Sequence, residues 1–457
     1  MRIGIDVDAF RWATQAGIYY YLWNLLKAIG RLEHSHQITL FLYGQPWMDE
    51  PEKIQRLKEA HPGVEVQYYW DGFQPKLLSG FFGDRPNGTP WLVRQVDRCV
   101  LFPLWNRLVA KESAAVAWLW RRGSPSRTVD LFHHPGGLLF PMHSTANVMT
   151  LSDLIPLHLP QYCPGSVEWF QDSFSNAGQM DLILTYSEHT KQDAVATLGI
   201  DAELIRVTPL AAHEQYRPLE DRQQVRAVLE KHGLTQHPYV LNIGTLEPRK
   251  NLSRLLEAFH QLKQQNPALE HELVLVGAKG DLHEAIWETL QRLQLESQVR
   301  WLGYVPFEDL PALLNGADLF VYPSLYEGFG LPPLEAMACG TPVVASSSTS
   351  LPEVVGDAGV LVDPSSVEQL AEGMRRVLTD EQLRGTLRDK ALRRAQTFSW
   401  EKTARLTLAA YEEAWTRSRE RRTRRAGRNV QTLSRKQMRQ AIITHLANQA
   451  RQRIHSG

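Results

Sequence analysis

Short apolar runs alternate with stretches of helical period along most of the chain. Such runs, bounded by glycine, proline and polar residues, are typical of strands that a sheet buries on both faces. The stretches between them, such as NLSRLLEAFHQLKQQ and SVEQLAEGMRRVL, repeat their apolar residues every three or four positions, as amphipathic helices do. The pattern predicts strands at Arg2–Asp6, Ile38–Leu42, Val64–Tyr68, Leu131–His133, Val148–Leu151, Asp181–Thr185, Ile205–Thr208, Tyr239–Ile243, Leu273–Val276, Val299–Leu302, Leu319–Tyr322, Pro342–Ala345 and Gly359–Val362.

The alternation of strands with helices predicts parallel sheets that helices cover on both faces. Because the strands fall into two series, the predicted fold class is α/β, with two doubly wound Rossmann-like domains that face each other across a cleft. The segment Thr208–Arg222 loses periodicity and carries prolines near both ends, which favours a linker. We therefore predict an N-terminal domain over residues 1–210, a C-terminal domain over residues 215–400, and a helix with a basic tail over residues 401–457.

The composition is that of a globular protein, since 43% of the 457 residues are hydrophobic and 22% are charged. Fifty basic residues balance fifty acidic ones, so the net charge favours no particular partner. The three cysteines, Cys99, Cys163 and Cys339, lie far apart, which argues against a disulfide framework and suits a reducing cytoplasm. The start, MRIGIDVDAF, lacks the pattern of a signal peptide, and no apolar run is long enough to span a bilayer, so we expect a cytoplasmic protein.

Two segments depart from the alternating pattern. Residues 70–125 are rich in tryptophan and arginine, and Trp105 and Trp118 would lie on apolar helical faces edged by cations. This pattern suits either a helix at a membrane interface or an insertion that packs on its own domain. Aromatic and basic residues together also suit single-stranded nucleic acid, but no recognised motif supports such a partner. From Arg417 onward the only acid is Glu420, which indicates either a solvated tail or peripheral contact with an anionic surface such as the inner membrane.

The stretch Tyr326–Gly340 (YEGFGLPPLEAMACG) follows one predicted strand and leads into a short predicted helix. The amides of Gly328–Leu331 would lie at the N-terminus of that helix, where N–H groups and the helix dipole favour a phosphate or pyrophosphate. A pyrophosphate would repel carboxylates, so Glu327 and Glu335 should face sugar and ribose hydroxyls instead. The alternative for the same residues is an ordinary strand-to-helix turn in a core.

A second cluster, Gly244–Asn251 (GTLEPRKN), also follows a predicted strand and leads into a helix, which we expect Asn251 or a neighbour to cap. Arg249 and Lys250 can neutralise a diphosphate there, the arginine as a fork and the lysine as a point charge. A third loop contains Gly277, which permits close backbone approach and is a further candidate for ligand binding. Ligands of doubly wound domains sit at the carboxyl ends of the strands, so we predict that these loops share one site in the cleft.

These motifs resemble those of the retaining glycosyltransferases of family 4, which have the two-Rossmann GT-B fold. EGFGLPPLEAMACGTPVVAS is similar to the family's glutamate–seven-residue–glutamate signature, and GTLEPRKNLSRLLEAF is similar to its donor-diphosphate loop. AGIYYYLWNLLKAI resembles its N-terminal glycine loop and helix, and LSDLIPLHLPQY resembles its acceptor-side segment. TYSEHTKQDAVATLGI resembles its later Ser-x-x-(Ser/Thr)-Lys-x-Asp helix, so the resemblance covers most of the chain in order.

The resemblance implies a role for each matching residue. Glu327 would lie beside the anomeric carbon of the donor sugar as the catalytic carboxylate, and Glu335 would bind the ribose hydroxyls. The other implied donor contacts are Gly17, Arg249 and Lys250 at the diphosphate, Tyr304 and Val305 at the base, and the amides of Phe329, Gly330 and Leu331 at the sugar and diphosphate. No metal is expected, since cations and a helix dipole would stabilise the departing diphosphate in its place.

Two positions depart from the family pattern. The residue just after the donor-domain strand, commonly Arg, is Thr245, and the second departure bears more on the acceptor side. The usual His-Asp pair after the acceptor-domain strand reads Ser152-Asp153, and a serine neither carries positive charge nor titrates near neutrality. Asp153 is the catalytic candidate on this side of the cleft. His134 or His158 could compensate for the missing histidine, although a surface or packing role is the ordinary alternative for either.

The expected activity is the retaining transfer of a hexose from a nucleotide sugar to a glycan or lipid-linked glycan in polysaccharide or cell-envelope synthesis. The runs EPRKN and DLIPL look most like mannosyl- or rhamnosyl-transferring relatives, so GDP-mannose is the expected donor. The alternative is a non-catalytic nucleotide-sugar-binding partner whose acceptor side has decayed at Ser152. An NAD-dependent enzyme is disfavoured, because IGIDVDAF stands where a Gly-x-Gly-x-x-Gly would follow the first strand.

Overall fold

The computed structural model describes residues 1–7, 17–43, 55, 58–59, 61, 64–69, 128–136, 142, 145–163, 166–423 and 435–456. The tryptophan- and arginine-rich insert predicted over residues 70–125 lies outside the described residues. So do residues 8–16, which precede Gly17, and residues 424–434.

The N-terminal domain contains a seven-stranded sheet in the order β3-β2-β1-β4-β5-β6-β7. All of its strands run parallel, as the alternating pattern predicted. The central strands β4 and β5 are buried along their whole length, as strands covered on both faces must be. The strands are β1 (Arg2–Asp6), β2 (Gln37–Tyr43), β3 (Glu65–Tyr69), β4 (Leu131–His134), β5 (Ala146–Thr150), β6 (Leu182–Thr185) and β7 (Ile205–Val207).

The C-terminal domain contains a six-stranded parallel sheet in the order β10-β9-β8-β11-β12-β13. From β8 the chain winds towards one edge of this sheet, and from β11 it winds towards the other edge. The point of reversal therefore lies between β8 and β11, which pair directly. The strands are β8 (Tyr239–Ile243), β9 (Glu272–Val276), β10 (Val299–Gly303), β11 (Leu319–Tyr322), β12 (Val343–Ser346) and β13 (Val360–Val362).

The strands predicted from the apolar runs are confirmed, and their bounds shift by no more than two residues. One shift has a simple cause. The strand predicted from Pro342 begins instead at Val343, because proline has no N–H to donate to a neighbouring strand. The two-domain α/β fold class is confirmed with them.

Helices connect most of these strands and cover both sheets. Four helices follow the last strand of the second sheet, and the final two end the described chain. The helices are α1 (Gly17–Arg31), α2 (Ile155–His158), α3 (Ser166–Phe174), α4 (Glu188–Leu198), α5 (Arg222–Lys231), α6 (Leu252–Gln265), α7 (Glu284–Arg292), α8 (Leu310–Gly316), α9 (Leu331–Ala338), α10 (Leu351–Val355), α11 (Val367–Thr379), α12 (Glu381–Ala395), α13 (Trp400–Thr423) and α14 (Arg435–Ser456), with short 3₁₀ turns at Pro160–Tyr162, Ala177–Gln179, Ala202–Leu204, Pro248–Lys250 and Gly356–Ala358.

The capping role predicted for Asn251 is wrong in its chemistry. Helix α6 begins at the next residue, but the Asn251 side chain accepts no hydrogen bond from it. Asn251 instead adopts a left-handed backbone with φ 60°, and its side-chain amide donates to the carbonyls of Pro323 (3.1 Å) and Pro364 (2.7 Å). The residue therefore ties the loop after β8 to the loop after β11, at the point where the sheet reverses.

Helix α13 leaves the C-terminal domain and returns to pack on the N-terminal sheet and on α1. Its Tyr411 is fully buried, and its hydroxyl lies 2.7 Å from Nδ1 of His133, whose Nε2 lies 2.8 Å from the hydroxyl of Thr150. Burial lowers the pKa of His133 to about 3, so this ring is a neutral part of the core. The Glu413 carboxylate accepts two hydrogen bonds from the guanidinium of Arg206. Helix α13, at the start of the segment predicted over residues 401–457, thus completes the N-terminal domain.

Helix α14 packs on α4 and α2 of the N-terminal domain. Met438 and Ile442 are fully buried there, whereas Ile443 on the other face of the helix is half exposed. Among the helices of the described ranges, none is both long enough and apolar enough to cross a membrane.

Candidate active site

The loops after β8 and β11 meet where the C-terminal sheet reverses its winding. Where the chain continues from two neighbouring strands towards opposite edges of the sheet, a crevice opens at the carboxyl ends of those strands. Arg249 and Lys250 lie in the first loop and Glu327 lies in the second. The two loops are joined by a hydrogen bond of 2.9 Å from the Leu325 amide to the Arg249 carbonyl. The structure therefore brings together the two motifs that the sequence placed at one edge of the sheet.

Glu327 accepts four hydrogen bonds, all on its Oε1 atom. Lys250 Nζ lies 2.6 Å away, the Ser324 hydroxyl 2.6 Å, the Tyr322 hydroxyl 2.9 Å and Arg249 Nη1 3.3 Å. Within the described part of the chain, Oε2 accepts no hydrogen bond. One oxygen is thus fixed by the protein, while the other remains available to a ligand.

The charges of this cluster are mutually dependent because the groups are buried. The Lys250 side chain is 9% exposed and that of Glu327 is 12% exposed. Burial alone would raise the pKa of Glu327, but Lys250, Arg249 and the hydrogen bonds outweigh it and lower that pKa to about 2. Burial lowers the pKa of Lys250 against the opposing effect of Glu327. Arg249 also pairs with Glu247, 2.6 Å from its Nη2.

The turn that follows Glu327 leads directly into helix α9. Gly330 precedes the helix with φ 121°, a conformation in which a side chain would be strained. The carbonyls of Glu327 and Phe329 both accept from the Ser350 hydroxyl, at 2.9 and 2.7 Å. The amides of Gly328–Leu331 donate to no group among the described residues, so successive N–H groups remain available at the start of a helix. Such amides favour an anion.

Glu335 lies in the second turn of α9. Its carboxyl group makes no hydrogen bond or ion pair within the described residues, and burial raises its pKa to about 8. Tyr20, from α1 of the N-terminal domain, lies close enough for Glu335 to contribute to raising the tyrosine pKa to about 12, after the larger effect of burial. The Tyr20 ring also stacks on Phe307 of the C-terminal domain, with 4.9 Å between centroids. The position suits recognition of hydroxyl groups, which could supply the hydrogen bonds that the carboxyl lacks.

The N-domain wall of the cleft, residues 150–158 and 187–193, touches the turn at Gly328. A Cβ atom on Gly328 would lie 2.1 Å from the Ser152 carbonyl oxygen and 2.9 Å from Asp153 Cβ, so the glycine permits this close approach. Asp153 Oδ1 accepts from the Ile155 amide at 3.0 Å. Burial raises the pKa of Asp153, Arg249 acts to lower it and Glu327 acts to raise it. Asp153 therefore faces the charged cluster of the C-domain wall, residues 244–251 and 322–335.

The other predicted contacts occupy different surroundings. Gly17 begins α1, and no atom of the described residues lies within 4 Å of where its Cβ would be. Tyr304 is 57% exposed and Val305 is buried, both in the loop after β10. Gly277 packs against protein rather than opening a surface, because a Cβ there would lie 2.0 Å from the Gly244 carbonyl oxygen. Its own N–H and C=O are bonded to Gly303 and Trp301. The proposed roles of Gly17, Tyr304, Val305 and Gly277 stay predictions.

The two candidate histidines differ. His134 is 1% exposed and packs on Phe132 with 4.5 Å between ring centroids, and burial holds its pKa well below the ordinary value. His158 lies at the end of α2 with Nε2 2.8 Å from the Asp193 carboxylate, and its ring stacks on that of Tyr326. His134 thus belongs to the core, whereas His158 lies beside the turn that carries Glu327.

Several residues that shape the site were not singled out from the sequence. Tyr322 and Ser324 fix Glu327 Oε1, and the Thr349 hydroxyl accepts from the Glu327 amide at 3.1 Å. The first two stand at the carboxyl end of β11, where the rule that ligand-binding residues follow strands could have found them. Thr349 is distant in sequence and carries no comparable signal. Among the described residues, no group of three or more His, Cys, Asp and Glu side chains could hold a metal ion.

Comparison with known proteins identifies the family of the chain. Residues 225–394 match the family described as glycosyl transferases group 1. The chain is 38% identical over 285 residues to O-antigen chain mannosyltransferase B of Escherichia coli, a match that covers 62% of this chain and 74% of that protein. It is 30% identical over 269 residues to the serotype-specific mannosyltransferase WbdA of Escherichia coli, covering 58% of this chain but only 33% of WbdA.

Solved structures show the same fold at low sequence identity. HepE of Anabaena, solved in complex with UDP and glucose, superposes with a TM-score of 0.61 at 20% identity and covers 90% of this chain and 99% of its own. A glycosyltransferase of Rickettsia africae superposes with a TM-score of 0.61 at 16% identity, covering 90% of this chain and 98% of its own. With its two facing Rossmann-like domains and the matched motifs in their cleft, the chain belongs to the glycosyl transferases group 1 family and is a glycosyltransferase of GT-B fold.

Proposed function

We propose that the enzyme transfers a mannosyl residue from GDP-mannose to a glycan or lipid-linked glycan, with retention of anomeric configuration. The observation that carries the proposal is the Glu327 cluster. A buried carboxylate with one free oxygen stands beside unbonded helix-terminal amides and two cations, and it faces Asp153 across the cleft. A nucleotide sugar is the ligand whose diphosphate and hydroxyls match all of these groups at once.

In this proposal the C-domain wall binds the donor. The amides of Gly328–Leu331 and the cations Arg249 and Lys250 take the diphosphate, since aligned N–H groups and paired cations stabilise the charge that grows on a leaving phosphate. Glu335 takes the ribose hydroxyls, which donate the hydrogen bonds that its carboxyl lacks among the described residues. The cations supply the stabilisation that a divalent metal supplies elsewhere, so the reaction is proposed to need none.

The state of Glu327 bears on the mechanism. With a pKa of about 2, the carboxylate is ionised throughout the physiological range and is a weak base. Its negative charge therefore suits electrostatic stabilisation of an oxocarbenium-like sugar better than proton transfer or covalent attack. Retention would then follow from departure and attack on the same face, with the leaving phosphate accepting the proton of the acceptor hydroxyl. Asp153 would position that hydroxyl.

Mannose and a polysaccharide acceptor are proposed from the relatives. O-antigen chain mannosyltransferase B is similar over three-quarters of its length, and WbdA and an α-(1→4)-mannosyltransferase of Mycolicibacterium hassiacum (34% identical over 244 residues) bear mannosyl names as well. A growing polysaccharide anchored in lipid would bring the enzyme to the cytoplasmic face of the inner membrane. The basic residues after Arg417 favour peripheral contact there. The alternative of a non-catalytic partner is weaker, because the charged donor cluster is complete.

Calorimetric titration with GDP, UDP, dTDP and ADP tests which nucleotide binds. Transfer assays then use sugar donors of the nucleotides that bind, with mannose, glucose, rhamnose or N-acetylglucosamine as the sugar. We expect GDP to bind most tightly and GDP-mannose to support transfer to a mannose-terminated glycan. A preference for another nucleotide would overturn the choice of GDP-mannose, although not the family. Binding of a nucleotide sugar without hydrolysis or transfer would instead favour the non-catalytic alternative.

A further inference from the structure

Helix α4 of the N-terminal domain contacts the turn that carries Glu327, although the two segments are separated by more than 130 residues. We propose that the first turns of α4 form a latch that holds this turn in its catalytic position and keeps water from the bound donor. Asp193 and Tyr326 are then positioning residues that act through Glu327. The inference rests on the proposed role of Glu327 and adds residues outside the donor-binding loops.

The first part of the latch is a pair of hydroxyl groups. Ser187 Oγ and Thr190 Oγ1 donate to the carbonyl oxygen of Gly328, at 2.8 and 3.2 Å. Both side chains are fully buried, so no bulk water replaces them. A buried carbonyl that loses such donors is destabilised, because nothing else satisfies it. The pair therefore favours the position in which Gly328 lies against the N-terminal domain.

The second part joins Asp193 to Tyr326. The Tyr326 hydroxyl donates to one oxygen of the Asp193 carboxylate, and His158 Nε2 and the Thr197 hydroxyl lie 2.8 Å from the other. The Tyr326 ring lies between two histidine rings, stacked on His158 at 5.1 Å and edge-on to His189 at 5.6 Å. Tyr326 immediately precedes Glu327, so its hydroxyl bond fixes the backbone from which the catalytic carboxylate projects.

The third part lies at the N-terminus of α4 itself. Glu353, from α10 of the C-terminal domain, accepts from the amides of Glu188 (2.8 Å) and His189 (2.6 Å). The first amides of a helix have no partner within the helix, and a carboxylate is stabilised there by the helix dipole. Each of the three contacts thus joins one helix of the N-terminal domain to the C-terminal domain.

These contacts form only when the two walls lie together. Release of a nucleotide from a cleft between domains requires the walls to separate, which breaks all three contacts at once. A weakened latch would lengthen the open state, in which water reaches the sugar before the acceptor does. The ratio of donor hydrolysis to glycosyl transfer therefore reports the latch more directly than the rate of transfer does.

The test uses the full chain with Tyr326→Phe, which removes one hydroxyl and keeps the ring, and with Glu353→Gln as a second variant at a separate contact. Asp389→Asn, at an exposed position on α12, is the control. We expect about a tenfold fall in transfer kcat and about a tenfold rise in the ratio of hydrolysis to transfer for Tyr326→Phe, with the Kd for the nucleoside diphosphate within about twofold. Glu353→Gln should shift the ratio in the same direction.

Equal falls in hydrolysis and transfer would overturn the latch, since a merely misplaced turn slows both reactions alike. Wild-type rates of both hydrolysis and transfer in the two folded variants would overturn it as well. Amide hydrogen exchange at residues 326–331 gives a readout that needs no turnover. Faster exchange in both variants supports the latch even if the wild-type enzyme uses another donor, whereas wild-type exchange rates exclude it. Absence of transfer by the wild type would count against the proposed function alone.

Discussion

The C-domain wall of the cleft is assembled from two neighbouring loops, whereas the N-domain wall combines segments that lie far apart in the chain. Arg249, Lys250 and Glu327 follow the adjacent strands β8 and β11 and touch one another directly. On the opposite wall, Asp153 follows β5 and Asp193 lies in α4, and among the described residues their carboxyl groups share no hydrogen-bond partner. Their common neighbour is the turn of the C-domain wall.

Under the proposed function, the difference follows from what each wall would bind. A diphosphate and a ribose present the same charges and hydroxyls in every nucleotide sugar, so a compact set of cations, amides and carboxylates serves them all. An acceptor hydroxyl has no such fixed surroundings. The N-domain wall accordingly presents the carboxyl of Asp153 to the charged cluster, with Ser152 where the resembling family has a histidine, and it depends on the C-domain wall for its alignment.

The largest effect should follow from Glu327→Gln. Loss of the negative charge beside the anomeric carbon should lower transfer kcat on the order of 10³-fold, as loss of a preorganised electrostatic group does. Binding of the nucleoside diphosphate should stay within a few-fold, because the freed charges of Lys250 and Arg249 still attract the phosphates. Steady-state kinetics and calorimetry measure the two effects, with the exposed Glu288→Gln as the control. Near-normal turnover would show that the catalytic carboxylate lies elsewhere.

Lys250→Ala should have the next largest effect, and it should act on both binding and transfer. The change removes a buried cation that contacts Glu327 at 2.6 Å and leaves Arg249 as the one cation that donates to that carboxylate among the described residues. We expect kcat/KM to fall on the order of 10²-fold and the nucleotide Kd to rise about tenfold or more, as for loss of a charged hydrogen bond. Lys390→Ala, which breaks an ion pair at the surface, is the control. An unchanged Kd would remove Lys250 from the diphosphate site.

Gly328→Ala should act mainly on the contact between the two walls, although the residue also belongs to the turn that we propose binds the diphosphate. The new methyl group would collide with the Ser152 carbonyl, so the walls must separate or the turn must move. Overpacking costs about 1–3 kcal/mol, which corresponds to about a tenfold or greater loss of transfer, whereas nucleotide binding should weaken less because the main-chain N–H of residue 328 is kept. Gly385→Ala is the matched control, because a Cβ there meets nothing within 4 Å on helix α12. Wild-type transfer by Gly328→Ala would mean that the walls need not touch during the reaction.

The smallest effect concerns Glu335 and pH. Its folded-state pKa is raised to about 8, so the unliganded protein loses stability from this group as pH rises from the unfolded value near 4.5 towards 8. Glu335→Gln should therefore melt at nearly the wild-type temperature at pH 5 and a few degrees higher than wild type at pH 8.5. Thermal unfolding across this pH range measures the difference in melting temperature between the variant and the wild type, which should level off above pH 8. A difference in melting temperature that does not depend on pH would show that burial does not hold the Glu335 carboxyl neutral.

Much of the fold could be predicted from the sequence, because parallel strands that are buried on both faces consist of continuous apolar runs. The loop motifs likewise followed from their position after strands, and Arg249, Lys250 and Glu327 do lie together. The wrong capping role of Asn251 shows a limit of local inference, since its partners Pro323 and Pro364 are distant in sequence. Propensity at a helix start gives no information about such tertiary hydrogen bonds.

The N-domain wall was the harder part to predict for the same reason. His134 and His158 look equivalent as histidines near strand ends, yet one is buried against Phe132 and the other bonds to Asp193. Which surroundings a side chain meets depends on how separate segments pack. The contact of Asp193 with Tyr326 spans 133 residues and two domains. No spacing within either segment reveals it.

Helix α13 has a consequence for biosynthesis. Its residues Ala404, Leu408 and Tyr411 belong to the core cluster that contains the first strand of the chain. A ribosome makes the N-terminal sheet first but supplies this helix only after the whole C-terminal sheet has emerged. The apolar surface of the N-terminal domain that α13 covers therefore stays exposed while the C-terminal domain completes its own core. The order of synthesis and the order of completed folding are opposite for these two domains.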